Sequence, residues 1–214
     1  MIIINFKAYK TGPDALRLAK ICEVAAKKTR LNIILAVQTA DINLIASSVD
    51  LPIIAQHTDS INFGAHTGFI LSESIKHAGA IGSLVNHSER QLSVSEIKAT
   101  IKRLKSLGLI SILCVNTIEQ IKSFKKFNPD IFAFEPTKLI GGLISVSSAN
   151  PKLVSAAVDA TRIPVLCGAG IHSAGDVKGA IALGARGVLV ASGVDNSKHP
   201  LSVILELASA FRVK

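Results

Sequence analysis

Apolar residues in this chain come in short runs, and the stretches between them follow a different period. Eight runs read as buried strands: Ile2–Ile4, Ile33–Val37, Ile53–Ala55, Ile81–Val85, Ile110–Val115, Ile131–Phe134, Pro164–Cys167 and Gly187–Val190. They are rich in branched residues and lack the alternation of a half-solvated strand, as expected for a sheet covered on both faces. Between them the spacing becomes helical. Ala15–Lys28 carries Leu16, Ala19 and Val24 on one side, and Val94–Leu107 repeats apolar residues at Val94, Ile97, Ile101 and Leu104. Helix-start signals stand at Asp41 before Ile42, Ser72 with Glu73, Asn150-Pro151 and Ser173 ahead of Asp176. Gly79, Gly108 and Gly184 follow helix-like stretches, where helices commonly end.

Sharing 214 residues among eight strand–helix units leaves about 27 per unit, near the lower end for a (β/α)8 barrel. An open doubly wound sheet has the same periodicity, but eight strands, short connections and the lack of a linker favour closure. The expectation is an α/β protein, one (β/α)8 barrel domain over residues 1–214. Hydrophobic residues make up 49% and aromatics 4% with no Trp, so the core must be built from Ile, Val, Leu and Ala. No run reaches the roughly 18 apolar residues of a membrane span. Met1 leads directly into Ile2-Ile3-Ile4, without a signal-peptide pattern, so a cytoplasmic location is expected. Cys22, Cys114 and Cys167 are widely spaced among apolar residues and fit neither a disulfide framework nor a zinc site. The net charge of +9 is dispersed over helix-like stretches without aromatic interleaving or a nucleic-acid motif. Neither nucleic acid nor a membrane is therefore expected as a partner, and a positive field favours capture of a small anion.

In a parallel α/β protein the carboxyl ends of the strands are where ligands bind. Polar residues gather at those exits here. Asn5-Phe6-Lys7 follows strand 1 and sets an amide and an ammonium on the same side of an extended chain. Asn86-His87-Ser88-Glu89-Arg90 follows strand 4 and brings an imidazole, a hydroxyl, a carboxylate and a guanidinium to one turn. A polar turn with a helix cap accounts for the same five residues, with Ser88 or Ser93 as the cap and Glu89 paired to a lysine. Glu135 follows strand 6, where partial desolvation makes a carboxylate a better base. The stretch Thr137–Ser148 behind it is long for a connection of this kind and reads as a lid or as an ordinary surface loop. Gly168-Ala169-Gly170 and Ala191-Ser192-Gly193 follow strands 7 and 8, where small residues let backbone N–H groups approach phosphate oxygens.

Together these segments resemble the triosephosphate isomerase family, in its short archaeal-type branch. The matching pieces run in family order: Asn5-Phe6-Lys7, Ala55-Gln56-His57, His66-Thr67-Gly68, Asn86-His87-Ser88-Glu89, Glu135-Pro136, Leu139-Ile140-Gly141, Cys167–Ile171 and Val190-Ala191-Ser192-Gly193. The resemblance implies a TIM barrel that interconverts dihydroxyacetone phosphate and glyceraldehyde 3-phosphate through an enediolate, with no cofactor and no metal, in glycolysis and gluconeogenesis. The family is itself a standard illustration of pKa tuning and lid closure. By resemblance, Glu135 shuttles the proton and a neutral His87 polarises the carbonyl. Lys7 faces the developing oxyanion, Asn5 supports it, and Glu89 orients Lys7. The substrate-binding set is implied to be Asn5, Phe6, Lys7, Ile140, Gly141, Gly170, Ala191 and Ser192. The loop 57–69, with Thr67 near its tip, is implied to dock on a neighbouring subunit, giving a homodimer or a homotetramer. The lid departs from its archaeal relatives in two places: Leu143 stands where a glycine is usual, and Lys138 where an acidic residue is frequent.

Two other readings compete. A different phosphate-binding barrel, such as those of tryptophan synthesis, explains the phosphate loops but not the set at strands 1, 4 and 6. A basic barrel that binds nucleic acid or protein explains only the charge.

Overall fold

The computed structural model describes residues 1–136 and 150–211. All eight apolar runs form strands: β1 (Ile2–Asn5), β2 (Ile33–Val37), β3 (Ile53–Ala55), β4 (Gly82–Val85), β5 (Ile110–Val115), β6 (Ile131–Phe134), β7 (Val165–Cys167) and β8 (Gly187–Val190). Each pairs in parallel with the next, and β8 returns to β1 with Val190 opposite Ile4, so the sheet closes into a barrel. The open doubly wound alternative is thereby excluded.

Strand side chains alternate between two cores. Ile3, Ile34, Ala36, Ile54, Leu84, Ile112, Cys114, Ala133, Leu166 and Leu189 fill the barrel interior. Ile2, Ile4, Leu35, Ile53, Val85, Leu113, Phe132, Phe134 and Val188 face outward under the helices. All three cysteines are buried and free, as expected of small core hydrophobes.

Among the described residues the helices are α1 (Gly12–Thr29), α2 (Ile42–Ala46), α3 (Ser72–His77), α4 (Val94–Ser106), α5 (Ile118–Phe124), α6 (Pro151–Asp159), α7 (Ala174–Ala182), α8 (Ser192–Asp195) and α9 (Pro200–Ser209). Two helix faces differ from expectation. The buried stripe of α1 is Ala15, Leu18, Ala19, Cys22 and Ala25, while Val24 is exposed. On α4 the buried residues are Ile97, Thr100, Ile101 and Leu104, and Val94 points to solvent. Both valines sit just off the face that reaches the sheet.

Among the start signals, Asn150 accepts from the Leu153 N–H, and Ser173 forms a capping box with Asp176. Ser93, rather than Ser88, caps α4 through a second box with Glu96. Asp41 and Ser72 do not cap their helices: Asp41 has helical dihedrals, Ser72 already lies inside its helix behind Leu71, and both side chains turn to tertiary partners. The Asp41 carboxylate accepts the Gly12 N–H at 2.9 Å, and the Ser72 hydroxyl meets that of Thr58 at 2.9 Å. Gly79, Gly108 and Gly184 all have positive φ, as expected of residues that end helices. No helix among the described residues is long and apolar enough to cross a membrane.

Candidate active site

The alternation that builds the barrel also aims its chemistry. Ile3 faces inward, so Asn5 does too, and in the same way Ala133 predicts Glu135, Leu166 predicts Gly168 and Leu189 predicts Ala191. These positions line one cleft, open to solvent, at the carboxyl ends of the strands. Asn5, Lys7, His87, Glu135, Gly170, Ala191 and Ser192 all border it. A second cleft adjoins the first, and its walls share Asn5, Lys7 and His87 and add Glu89 and Arg90.

Lys7 reaches the cleft by a different route from the one its spacing suggested. The chain does not stay extended after β1: Lys7 has φ 44° in the left-handed region, uncommon for a residue with a side chain. The Asn5 carboxamide oxygen accepts the Lys7 N–H at 3.0 Å, a local turn that fixes this conformation. The Gln56 amide donates to the Lys7 carbonyl at 2.9 Å and braces it from β3. The ammonium donates to Glu89 at 2.7 Å. Asn5 and Glu89 therefore hold Lys7 at its backbone and at its tip. Phe6, between Asn5 and Lys7, is fully buried in the outer core and contributes no side chain to the cleft.

His87 follows Asn86, another left-handed residue with φ 62°. The Asn86 side chain donates to the Cys114 carbonyl and accepts from the Leu92 N–H, pinning the turn after β4. The Glu89 N–H donates to Nδ1 of His87 at 3.2 Å. A nitrogen that accepts carries no proton, so the imidazole is neutral with its hydrogen on Nε2. Burial lowers its pKa further, with Lys7 acting in the same direction and Glu89 against it. Nε2 lies 3.8 Å from Oε2 of Glu135, too far for a hydrogen bond and close enough to share one small substrate.

Glu135 is 4% exposed, and its Oε2 has no hydrogen-bond partner among the described residues. Burial pushes its carboxyl up to about 7, against the downward pull of the Cys114 thiol, which donates to it, and of Lys7. Gly168 makes room for this side chain. A Cβ there would stand 2.5 Å from Cγ of Glu135. The same glycine, in the loop expected to admit a phosphate, also admits the carboxylate.

The end of the cleft at strands 7 and 8, where the sequence leads one to expect a phosphate, is formed by Gly170, with φ 67°, and by Ala191–Gly193 where β8 runs into α8. Ile140 and Gly141, with Lys138 and Leu143 of the expected lid, lie outside the described residues. Tyr9 and His172 also border the cleft and were not singled out from the sequence. The available signal was position: Tyr9 is in the strand 1 exit, and His172 stands two residues past Gly170. Among the described residues no group of three or more His, Cys, Asp and Glu is placed to hold a metal ion.

Comparison with known proteins agrees with this geometry. A family model described as triosephosphate isomerase matches residues 1–208. The chain is 46% identical to a triosephosphate isomerase of Methanobacterium bryantii, covering 98% of this chain and 96% of that one. It is 44% identical to a triosephosphate isomerase of Methanocaldococcus jannaschii, covering 97% and 98% respectively. The crystal structure of triosephosphate isomerase from Bartonella henselae superposes with a TM-score of 0.77 at 19% identity, over 99% of this chain and 98% of that one, a likeness of fold. By the extent of these matches, the chain belongs to the triosephosphate isomerase family.

Proposed function

We propose that the chain, a barrel domain spanning residues 1–214, is a triose-phosphate isomerase that interconverts dihydroxyacetone phosphate and D-glyceraldehyde 3-phosphate in glycolysis and gluconeogenesis. The observation that carries the mechanism is the meeting, in one cleft, of a buried carboxylate, a neutral imidazole and an ammonium.

A proton beside a carbonyl is weakly acidic, so a base alone is not enough. The site must also stabilise the negative charge that forms on oxygen. Glu135 removes the proton from one carbon, and the electrons of that C–H bond become a carbon–carbon double bond as the carbonyl oxygen turns to oxyanion. Lys7 and the Nε2–H of His87 donate to that oxygen. His87 then moves protons between the two oxygens of the enediolate, and Glu135 returns its proton to the neighbouring carbon. The carboxyl value near 7 suits a group that must both take and return a proton. The backbone at Gly170, Ala191 and Ser192 holds the phosphate, with Ile140 and Gly141 as the lid's contribution. Asn5 and Glu89 position Lys7. No step in this sequence calls on a cofactor.

We also place the protein in the cytoplasm, as a homodimer or homotetramer. The loop 57–69 supports the assembly. Phe63 is 74% and Phe69 57% exposed, while Asp59 ties the loop's base by accepting the Ile70 N–H at 2.7 Å. Two exposed rings on a tied loop favour burial against a second copy, with Thr67 at the contact. The reaction is tested by a coupled assay with glyceraldehyde 3-phosphate; pure, folded protein that gives no turnover rules it out.

A further inference from the structure

Asp195 ends α8, three residues after Ser192 of the phosphate loop, and is 2% exposed. Neither of its carboxyl oxygens has a hydrogen-bond partner among the described residues. A carboxylate so placed is costly in its charged form, and nothing in the isomerase mechanism uses it. It borders a cleft of about 490 Å³ between α1 and the entry to α9, apart from the active site.

The charged groups around it can be named element by element. Lys10 lines that cleft from the loop between β1 and α1. Asp14 and Arg17 line it from α1 and are joined to each other in an ion pair. The Cys22 thiol faces Asp195 from α1 and is pushed upward by burial first and by the carboxylate second. The approach to α9 contributes Ser197 and Pro200 to the wall, neither of them charged. Lys7 also acts on Asp195 across the β1 exit. The field of this carboxylate therefore reaches the ammonium that faces the substrate.

We propose that Asp195 is a positioning residue whose protonation sets the anion affinity of the phosphate loop. Neutral, it leaves Ala191–Gly193 and Lys7 at full strength for a doubly charged phosphate. Ionised, it opposes that phosphate from behind the loop and draws on the positive charge of Lys7. The inference rests on the reading of this cleft as a phosphate site. Burial pushes the Asp195 carboxyl up to about 7, against the pull of Lys10 and Lys7, so the change falls in the neutral range. Its sign follows. Below that value the folded protein holds an uncharged Asp195 and binds anions best; above it, affinity falls.

Sulfate is the probe, because it stays a dianion throughout the neutral range while a phosphate ester titrates. Its competitive inhibition constant is measured from about pH 6 to about pH 8.5 on the wild type and on Asp195→Asn. Titrations of His87 and Glu135 are common to both proteins and cancel in the ratio of constants. That ratio should be near one at the acid end and rise to about 3–10-fold at the alkaline end, with the wild type the weaker binder. A structural role alone would change melting temperature or shift the ratio uniformly, and a ratio constant across pH overturns the proposal. If sulfate inhibits neither protein at any pH, the phosphate reading fails and takes this inference with it. A second measurement does not depend on the variant folding. In wild type labelled with carbon-13 at aspartate carboxyls, one resonance should titrate near neutrality and move its midpoint upward when sulfate is added. Aspartates that are all ionised by pH 5 refute the idea.

Discussion

Glu135 has lost nearly all contact with water, and its thiol donor, Cys114, is a weak one. Its folded value near 7 lies above the ordinary 4.5, so the cost of the charge is absent below the lower value and fully present above the higher. That difference corresponds to about 3 kcal/mol at alkaline pH. Glu135→Gln should therefore lower kcat by about 10²–10⁴-fold while stabilising the fold by about 1–3 kcal/mol at pH 8 and little at pH 5. Thermal unfolding at the two pH values checks this, and an equal gain at both would show that buried charge is not the source. For the wild type, kcat/KM should fall as pH drops below about 7, because the proposed base, Glu135, must be ionised to act. Gly168→Ala should displace the carboxylate and reduce kcat by about tenfold or more with circular dichroism unchanged. Lys7, His87 and Glu135 were legible in the sequence because each lies within two residues of a strand end. The left-handed turn at Lys7, the recruitment of Gln56 and the isolation of Asp195 were not legible, since all three depend on residues far away in the chain.

Among elements, the strands were the most readable, since a run buried on both faces leaves little ambiguity about its type, though β1, β4 and β7 differ from the apolar runs by one residue at one end. The helices were legible in position and less so in facing: Val24 and Val94 fit an apolar stripe by spacing but lie beyond the arc that meets the sheet. Caps divide in the same physical way. Ser93 and Ser173 have only local backbone donors to satisfy and cap as expected, whereas Asp41 and Ser72 are taken by Gly12 and Thr58 from other elements. Ser93→Ala should cost about 1 kcal/mol, read from chemical denaturation, with kcat unchanged. The loop 57–69 is the element whose exposed rings ask for a partner. Phe69→Asp should shift light-scattering mass toward the monomer and reduce activity. A variant that keeps the wild-type mass would place the interface elsewhere.

At the scale of the whole molecule, a net charge of +9 surrounds a site that takes a dianion. Such a field speeds encounter and is screened by salt. kcat/KM for glyceraldehyde 3-phosphate should fall about 3–10-fold between low and high sodium chloride, while turnover of uncharged glyceraldehyde stays flat. Equal salt sensitivity of the two substrates would exclude steering. The pairing of β8 with β1 sets Val190 beside Ile4, so Lys7 and the Ala191–Gly193 loop, from opposite ends of the chain, become neighbours. A nascent chain on the ribosome has Lys7, His87 and Glu135 long before it has the Ala191–Gly193 loop proposed to seat the phosphate. Recovery of turnover during refolding should therefore come no earlier than the pairing of the final strand with the first.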